Sequence, residues 1–506
     1  MIFFRFFWLF FFINSMNSLK ITNLFLEKLN KIKNLQNLQN LKKQKNIQIR
    51  ESLVTPENKL PVTGFYGLIG PKLDYRNITS LYDLFTGDGI IQGIFLENGT
   101  ATFTQTLINT EKLEFEKIVG KPMIQNSMIT GVQMFLNFLK LIPNMLGVAN
   151  TAFLNFQNKT YVLFERDMPY EIYIDSERKM VETVGKKEIP FLQTFSGHSK
   201  VVGGKVETID CDIIQNKVNW YQMDIDNQTQ EFRKINEYSI PMAYIPLVHD
   251  FYSDENYVLL INSPLKMDWS NIVNKQIPIF FDGTAPTFIY LIHKKTGKIE
   301  TYKVDKGFYL FHYADVKIKD TTINILSPFY DRINYNEVLH FGKYRRLRID
   351  RNSGNSQIFK YRELEPLNLD FPVALDNKNY PKNLNKSKQY ILRSIENGRI
   401  NGFYILEKTD IVKKIVFKDY FICGEPGIFY MESEENKEDN KNNNNTNVPI
   451  LCFFAFLDNN NNNNNNKNIN EPNKKQYFIM VNLETDEKIE YPISNPLFIG
   501  FHSIVL

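Results

Sequence analysis

The sequence predicts an all-β protein. Phe and Tyr are abundant, 41 and 26 of 506 residues, β-branched residues are frequent, and Asn, Asp, Gly and Pro cut the apolar stretches at intervals of about ten residues, the pattern of a sandwich, barrel or propeller. Long helical patterns are scarce beyond residue 60. The length exceeds what one ordinary core supplies, so the chain holds two to three domains or one large ring-like or barrel-like domain.

The first segment, "MIFFRFFWLFFFINSMNSLK", carries an apolar run of about ten residues, too short to span a bilayer, without a convincing small-residue cleavage site. A poorly formed signal peptide is one reading, and Met16 is an alternative start. Leu29, Ile32, Leu35, Leu38 and Leu41 then recur every third residue among Lys28, Lys31, Lys33, Lys42 and Lys43. This is either a basic amphipathic helix, for a membrane surface or a transit peptide, or a solvated basic arm. Residues 1–55 are therefore taken as an arm and 56–506 as one domain, in a cytoplasmic or peripheral membrane protein.

From about residue 60 strand, turn and strand alternate to the end, with hairpin signals in "LENGTATF" and "HKKTGKIETYKV". In "RLRIDRN", Arg346 and Arg348 can face water while Leu347 and Ile349 face inward. Met128 to Leu146 reads as an apolar helix ending at Pro143, either core or a surface that dips into lipid. Two asparagine tracts, Asn440 to Asn445 and Asn459 to Asn466, mark disordered loop expansions over 436–447 and 458–474, because such tracts bury too little apolar surface to order themselves. The net charge of +4 is mixed throughout and excludes a nucleic-acid-binding core. Cys211, Cys423 and Cys452 are too few and scattered for a disulfide framework or a cysteine zinc site, which suits a reducing compartment.

Six histidines remain. His293 precedes the turn Lys295-Thr296-Gly297-Lys298 and reads as exposed, and His340 has no telling neighbour. His198, His249, His312 and His502 differ: each follows a short apolar or aromatic strand and can project its ring from a strand end into a shared centre. No HExxH or HxH spacing links them, so spacing alone does not assemble a site.

Their local motifs carry a resemblance. "GLIGPKL", "LFTGDGIIQGIFLENGTATF", "ANTAFLNFQNKTYVLFERDMPYEI", "GHSK", "VHDF", "FHYAD", "LDFP", "GEP" and "GFHS" occur in the order of the landmarks of the carotenoid cleavage oxygenases. That family includes stilbene-cleaving dioxygenases and the retinyl-ester isomerohydrolase of the retina. The resemblance covers about residues 60 to 506. It implies a seven-bladed β-propeller with a few helices covering one face, and one Fe(2+) on the axis held by His198, His249, His312 and His502. It implies that Glu165, Asp370 and Glu425 orient three of the four histidines from behind. Departures accompany it. Asp370 is one methylene shorter than the family's glutamate, Leu68 and Thr106 stand where arginines are usual, Asp315-Val316 replaces Asn-Ala, and Ser503 replaces a common Gly.

The function so implied is a non-heme Fe(II) dioxygenase that cleaves a conjugated C=C bond of a carotenoid, apocarotenoid or related polyene with O2 into two carbonyl products. No protein acid or base beyond the metal centre is then obligatory. Two alternatives stand beside it: a metal-dependent isomerohydrolase of retinoid esters, and a catalytically silent propeller that binds an apolar ligand.

Overall fold

Turn chemistry sets the hairpins from which the fold is built. Asn98 and Gly99 both take left-handed φ, 48° and 80°, the backbone a tight two-residue turn needs, and they join strands Gly89–Glu97 and Thr100–Leu107. The turn at Lys295 to Lys298 likewise joins Thr287–His293 to Ile299–Val304. The structure, a computed structural model, describes residues 48–506 apart from 58–59, 75–77, 121–142, 227, 269, 274–276, 376–387, 397, 433–446 and 458–474. The N-terminal arm up to residue 47, the apolar run from Met128 to residue 142 and both asparagine tracts lie outside the described residues.

Seven antiparallel blades follow one another. Blade 1 contains Ile49–Ser52, Gly64–Pro71, Gly89–Glu97 and Thr100–Leu107, and blade 2 contains Ala152–Phe156, Lys159–Leu163, Tyr170–Asp175 and Met180–Lys186. Blade 3 is Lys200–Val202, Lys205–Asp212, Lys217–Ile225 and Phe232–Pro241, and blade 4 is Tyr252–Ser253, Tyr257–Asn262, Thr287–His293 and Ile299–Val304. Blade 5 is Asp315–Ile318, Thr322–Tyr330, Gly342–Asp350 and Ser356–Phe359, and blade 6 is Leu369–Leu375, Gln389–Glu396, Arg399–Glu407 and Asp410–Val416. Blade 7 joins Tyr420–Ile422 and Gly427–Glu432, both against Asn447–Leu457, with Gln476–Asn482 and Lys488–Ile493. Ile49–Ser52 pairs with Thr102 to Gln105, so blade 1 begins several residues before the arm boundary placed at residue 55.

Buried side chains show that the blades form a ring. Phe65 and Ile91 of blade 1 share a cluster with Val162 and Ile172 of blade 2, Tyr161 of blade 2 with Val206 and Met223 of blade 3, and Trp220 of blade 3 with Leu260 of blade 4. Leu259 packs with Ile325 and Tyr344 with Leu392, which links blades 4 to 5 and 5 to 6. One large cluster joins Phe403 of blade 6, Phe454 of blade 7 and Tyr66 of blade 1. Each fully buried aromatic or aliphatic chain here contributes about 1.5–3 kcal/mol, so the ring is held by the faces between blades.

The last strand, Ser503–Val505, completes the circle by pairing with blade 1, Leu68 opposite Ser503 and Tyr66 opposite Val505. The amide of Phe65 donates to the Leu506 carbonyl at 2.8 Å and that of Ile69 to the His502 carbonyl at 3.1 Å. Closure therefore anchors residues that would otherwise fray. Helix α1, Leu81–Thr86, is started by a capping box between Ser80 and Asp83, and helix α2, Glu111–Val119, is capped by Thr110. Both adjoin the same end of blade 1, where Ile90 pairs with Leu107. There α1 and the small hairpin of Leu265–Met267 and Ile279–Phe281 pack over Tyr309, Phe311 and Tyr330.

Candidate metal centre

Four loops, each entering the edge strand of a different blade, bring the four histidines together. His198 precedes Lys200–Val202, His249 precedes Tyr252–Ser253, His312 precedes Asp315–Ile318 and His502 precedes Ser503–Val505. Their ring centroids lie 4.6 Å (His198–His249), 5.1 Å (His198–His312), 4.7 Å (His198–His502), 5.4 Å (His249–His312) and 5.0 Å (His312–His502) apart. Residues separated by up to 304 positions therefore share one point, because seven blade edges converge there. Two glycines permit the approach. A Cβ on Gly197 would fall 2.9 Å from Thr151 Cγ2 and 3.2 Å from Glu165 Cγ, and one on Gly500 would fall 2.4 Å from Leu68 Cγ.

Behind the rings stand the three carboxylates. Glu165 Oε1 meets His249 Nδ1, Asp370 Oδ1 lies 2.9 Å from His312 Nδ1, and Glu425 Oε1 lies 3.1 Å from His502 Nδ1. With each Nδ1 so engaged, each Nε2 is left for the centre. Asp370 reaches its histidine directly despite the missing methylene. A bulge between Asp370 and Val373 adds one residue to that strand, and Pro372, which has no N–H for the ladder, accounts for it. Tyr330 Oη donates to the other oxygen, Asp370 Oδ2, at 2.5 Å. Ser503 also has a use: its amide donates to Glu425 Oε2 at 2.7 Å, and its hydroxyl stands within hydrogen-bond distance of both the Pro426 carbonyl, at 3.0 Å, and Glu425 Oε2, at 3.2 Å.

Asp250, beside His249, ties three of the ligand-bearing loops together. It takes an ion pair from Lys200 at 2.8 Å, two residues after His198, and accepts the Tyr313 amide at 3.4 Å, one residue after His312. The aromatic surroundings are dense: Phe311 stands edge-on to His249 at 5.1 Å, Phe85 of α1 at 6.3 Å, and Phe371 lies 4.4 Å from His312 and 4.9 Å from His502.

Electrostatics favour neutral imidazoles at two of the four. Burial, then the neighbouring rings of His249, His502 and His312, push His198 well below its usual range, and burial lowers His312 against the pull of Asp370. Burial also disfavours a second proton on His249, but the Glu165 carboxylate outweighs it and raises that histidine; a metal at Nε2 takes the place of that proton. Burial opposes an Asp370 anion, yet His312 and the Tyr330 hydroxyl hold its carboxyl below the usual range.

These residues fit a metal. His312 Nε2 is buried without a hydrogen-bond partner among the described residues, His198 Nε2 and His249 Nε2 face each other at 3.0 Å, and the ligand atoms of His198, His312 and His502 lie within 4.8 Å of one another. Two bare nitrogens in that position need a proton or a cation between them. An all-imidazole donor set suits iron, copper, zinc or nickel.

His293 and His340 stay outside. His293 stands against Tyr257 at 5.2 Å, and His340 accepts the Asn334 amide at 3.0 Å within its own loop. Leu68 is fully buried against Gly500 and Gly424, so the position where an arginine is usual is apolar packing beneath the His502 loop. Sequence reasoning missed Tyr330, Phe371, Asp250 and Arg393. Phe371 and Asp250 lie inside the quoted motifs, adjacent to Asp370 and His249; Tyr330 carries no local signal.

A family model described as "Retinal pigment epithelial membrane protein" matches residues 60–441. The carotenoid 9,10(9',10')-cleavage dioxygenase 1 of Arabidopsis thaliana is 24% identical over 253 residues, 45% of this chain and 46% of the relative. The chain spans about half the length of the curated relatives it matches. The lignostilbene dioxygenase of Pseudomonas brassicacearum superposes with a TM-score of 0.67 at 14% identity over 92% of this chain and 96% of the other. The cobalt-substituted apocarotenoid oxygenase of Synechocystis gives 0.64 at 13% over 91% and 96%.

Proposed function

The chain belongs to the carotenoid oxygenase family that the retinal pigment epithelial membrane protein model describes, and from that premise we propose that it is a non-heme iron dioxygenase. It cleaves a conjugated C=C bond of a carotenoid, apocarotenoid or similar polyene into two carbonyl products. The observation that carries the reading is the cluster of four histidines, three of them backed by carboxylates, set among phenyl rings. Its relatives and structural neighbours are named for carotenoid and lignostilbene cleavage, and one neighbour is described as cobalt-substituted.

When bound, ferrous iron supplies the one-electron chemistry that ground-state dioxygen requires. His198, His249, His312 and His502 would hold it. The protein's own part is positional. Glu165, Asp370 and Glu425 fix the tautomer and aim of three rings, and Asp250 braces three of the loops. The rings of Phe85, Phe311 and Phe371 present apolar surface beside the imidazoles, which suits a polyene and excludes water from it. Among the residues at the centre no further acid or base is required, since neither product needs a proton from the protein. Retinoid-ester isomerisation has no observation of its own in its favour here.

The test is oxygen uptake by the iron-loaded full chain with an apocarotenoid, followed by product analysis. Stoichiometric uptake with two carbonyl products is expected, and His249→Ala should abolish it. Turnover of the polyene without oxygen uptake, or equal uptake by His249→Ala, would overturn the reading.

A further inference from the structure

Arg393 lies in the second strand of blade 6, directly opposite Asp370 in the antiparallel register. Opposite residues of such a pair project from the same face, so the register places a guanidinium beside the carboxylate that serves His312. Arg393 is 8% exposed, and its Nε has no hydrogen-bond partner among the described residues. It forms no ion pair among them either, which is unusual for a buried arginine. What it does touch is Phe371: its guanidinium carbon lies 3.7 Å from the ring centroid. The same ring lies 4.4 Å from His312 and 4.9 Å from His502. Phe371 holds φ at 56°, costly for an aromatic residue and more so before a proline. The fold keeps that conformation, and with it a phenyl ring that lies between the cation and two ligand rings.

Charge gives the contact a purpose. Glu165, Asp370 and Glu425 together carry three negative charges, so a dication held by neutral imidazoles leaves the ligands and these three carboxylates at minus one, the nearby Asp250 being paired with Lys200. Arg393 returns that sum to zero. Burial pushes the guanidinium below its usual range, and Asp370, Tyr330 and Glu425 act against that effect. We propose that Arg393 is a positioning residue that tunes the metal's oxidation state: its buried charge, held against Phe371 behind His312 and His502, keeps bound iron ferrous. This rests on the iron reading above. A fixed positive charge raises the energy of a trication more than that of a dication. For one charge on the order of 10 Å away through an effective dielectric of about 20, the difference is roughly 15-fold in the equilibrium between the two oxidation states.

The experiment compares wild type with Arg393→Met, Arg393→Gln and Arg393→Lys as full-length chains loaded with Fe(II) under anaerobic conditions. Each is titrated with redox mediators while the ferric fraction is followed by electron paramagnetic resonance. The visible spectrum of the Co(II)-loaded form reports ligand geometry separately. Both neutral variants should favour the ferric form roughly 15-fold more than wild type, Arg393→Lys should stay within a few-fold of wild type, and the Co(II) spectra should coincide. Neutral variants that leave the equilibrium unmoved, or move it toward the ferrous form, overturn the proposal. So does an Arg393→Lys variant that shifts as far as Arg393→Met, since the effect would then follow shape and not charge. Wild type that retains no iron overturns the metal reading itself, a distinct result.

Discussion

At Asp370 one methylene decides how a carboxylate meets its histidine. The strand carries a bulge and a left-handed Phe371 here, and the short side chain already sits 2.9 Å from His312 Nδ1 and accepts Tyr330 on its other oxygen. Asp370→Glu should therefore fail to improve the site. The extra methylene overpacks a filled space at a cost of about 1–3 kcal/mol, so Co(II) or Fe(II) titration should show weaker binding than wild type. Tighter binding by Asp370→Glu would show that the aspartate reaches its histidine poorly. Asp370→Ala and Glu425→Gln each remove a partner that orients a ring, and each should cost about 10- to 100-fold in metal affinity. Ser503→Gly removes a hydroxyl shared between the Pro426 carbonyl and Glu425, worth about 0.5–1.5 kcal/mol, and should leave affinity within a few-fold, because the amide to Glu425 persists.

The closing strand is the element on which the site most depends. His502 is held by the pairing of Ser503–Val505 with Tyr66 to Leu68 and by the passage of Gly500 over Leu68. A methyl group at Gly500 cannot be housed without moving the loop, so Gly500→Ala should lower Tm by about 1–3 °C in a chain of this size and weaken metal binding, with partial rescue by Leu68→Ala. An unchanged Tm would show that the loop has slack. The strands themselves were legible before the structure, since the Asn98-Gly99 turn and the alternation of buried Leu347 and Ile349 with exposed Arg348 stand where strand periodicity puts them, although Arg346, expected to face water, is half-buried against Phe359. The bulge was not, although "LDFP" holds its cause in Pro372. Nor was Arg393, because a central strand buried on both faces, as in "QYILRS", shows no alternation that would mark one face as belonging to a site.

For the whole molecule, the ring explains what local patterns could not assemble. No spacing rule relates His198 to His502; the four motifs matched a family order, and only the convergence of blade edges makes them one site. The same closure makes the long insertions of blade 7 tolerable. Phe456 pairs with Gln476 and the Leu457 amide donates to the Lys475 carbonyl at 2.9 Å, so the ends of the segment holding Asn459 to Asn466 are already together. Deleting those eight residues about halves the loop, which should stabilise by about 0.6 kcal/mol and leave turnover unchanged; a fall in Tm or activity would give the tract a structural role. We propose that four histidines from four blades hold an iron that spends dioxygen on a polyene double bond. The most direct measurement of it is mass spectrometry of products formed under oxygen-18 gas by the iron-loaded full chain, quenched before carbonyl exchange with water. The expected result is two carbonyl fragments, each carrying one atom from the gas. A polyene left uncleaved, or fragments labelled only from water, would contradict it.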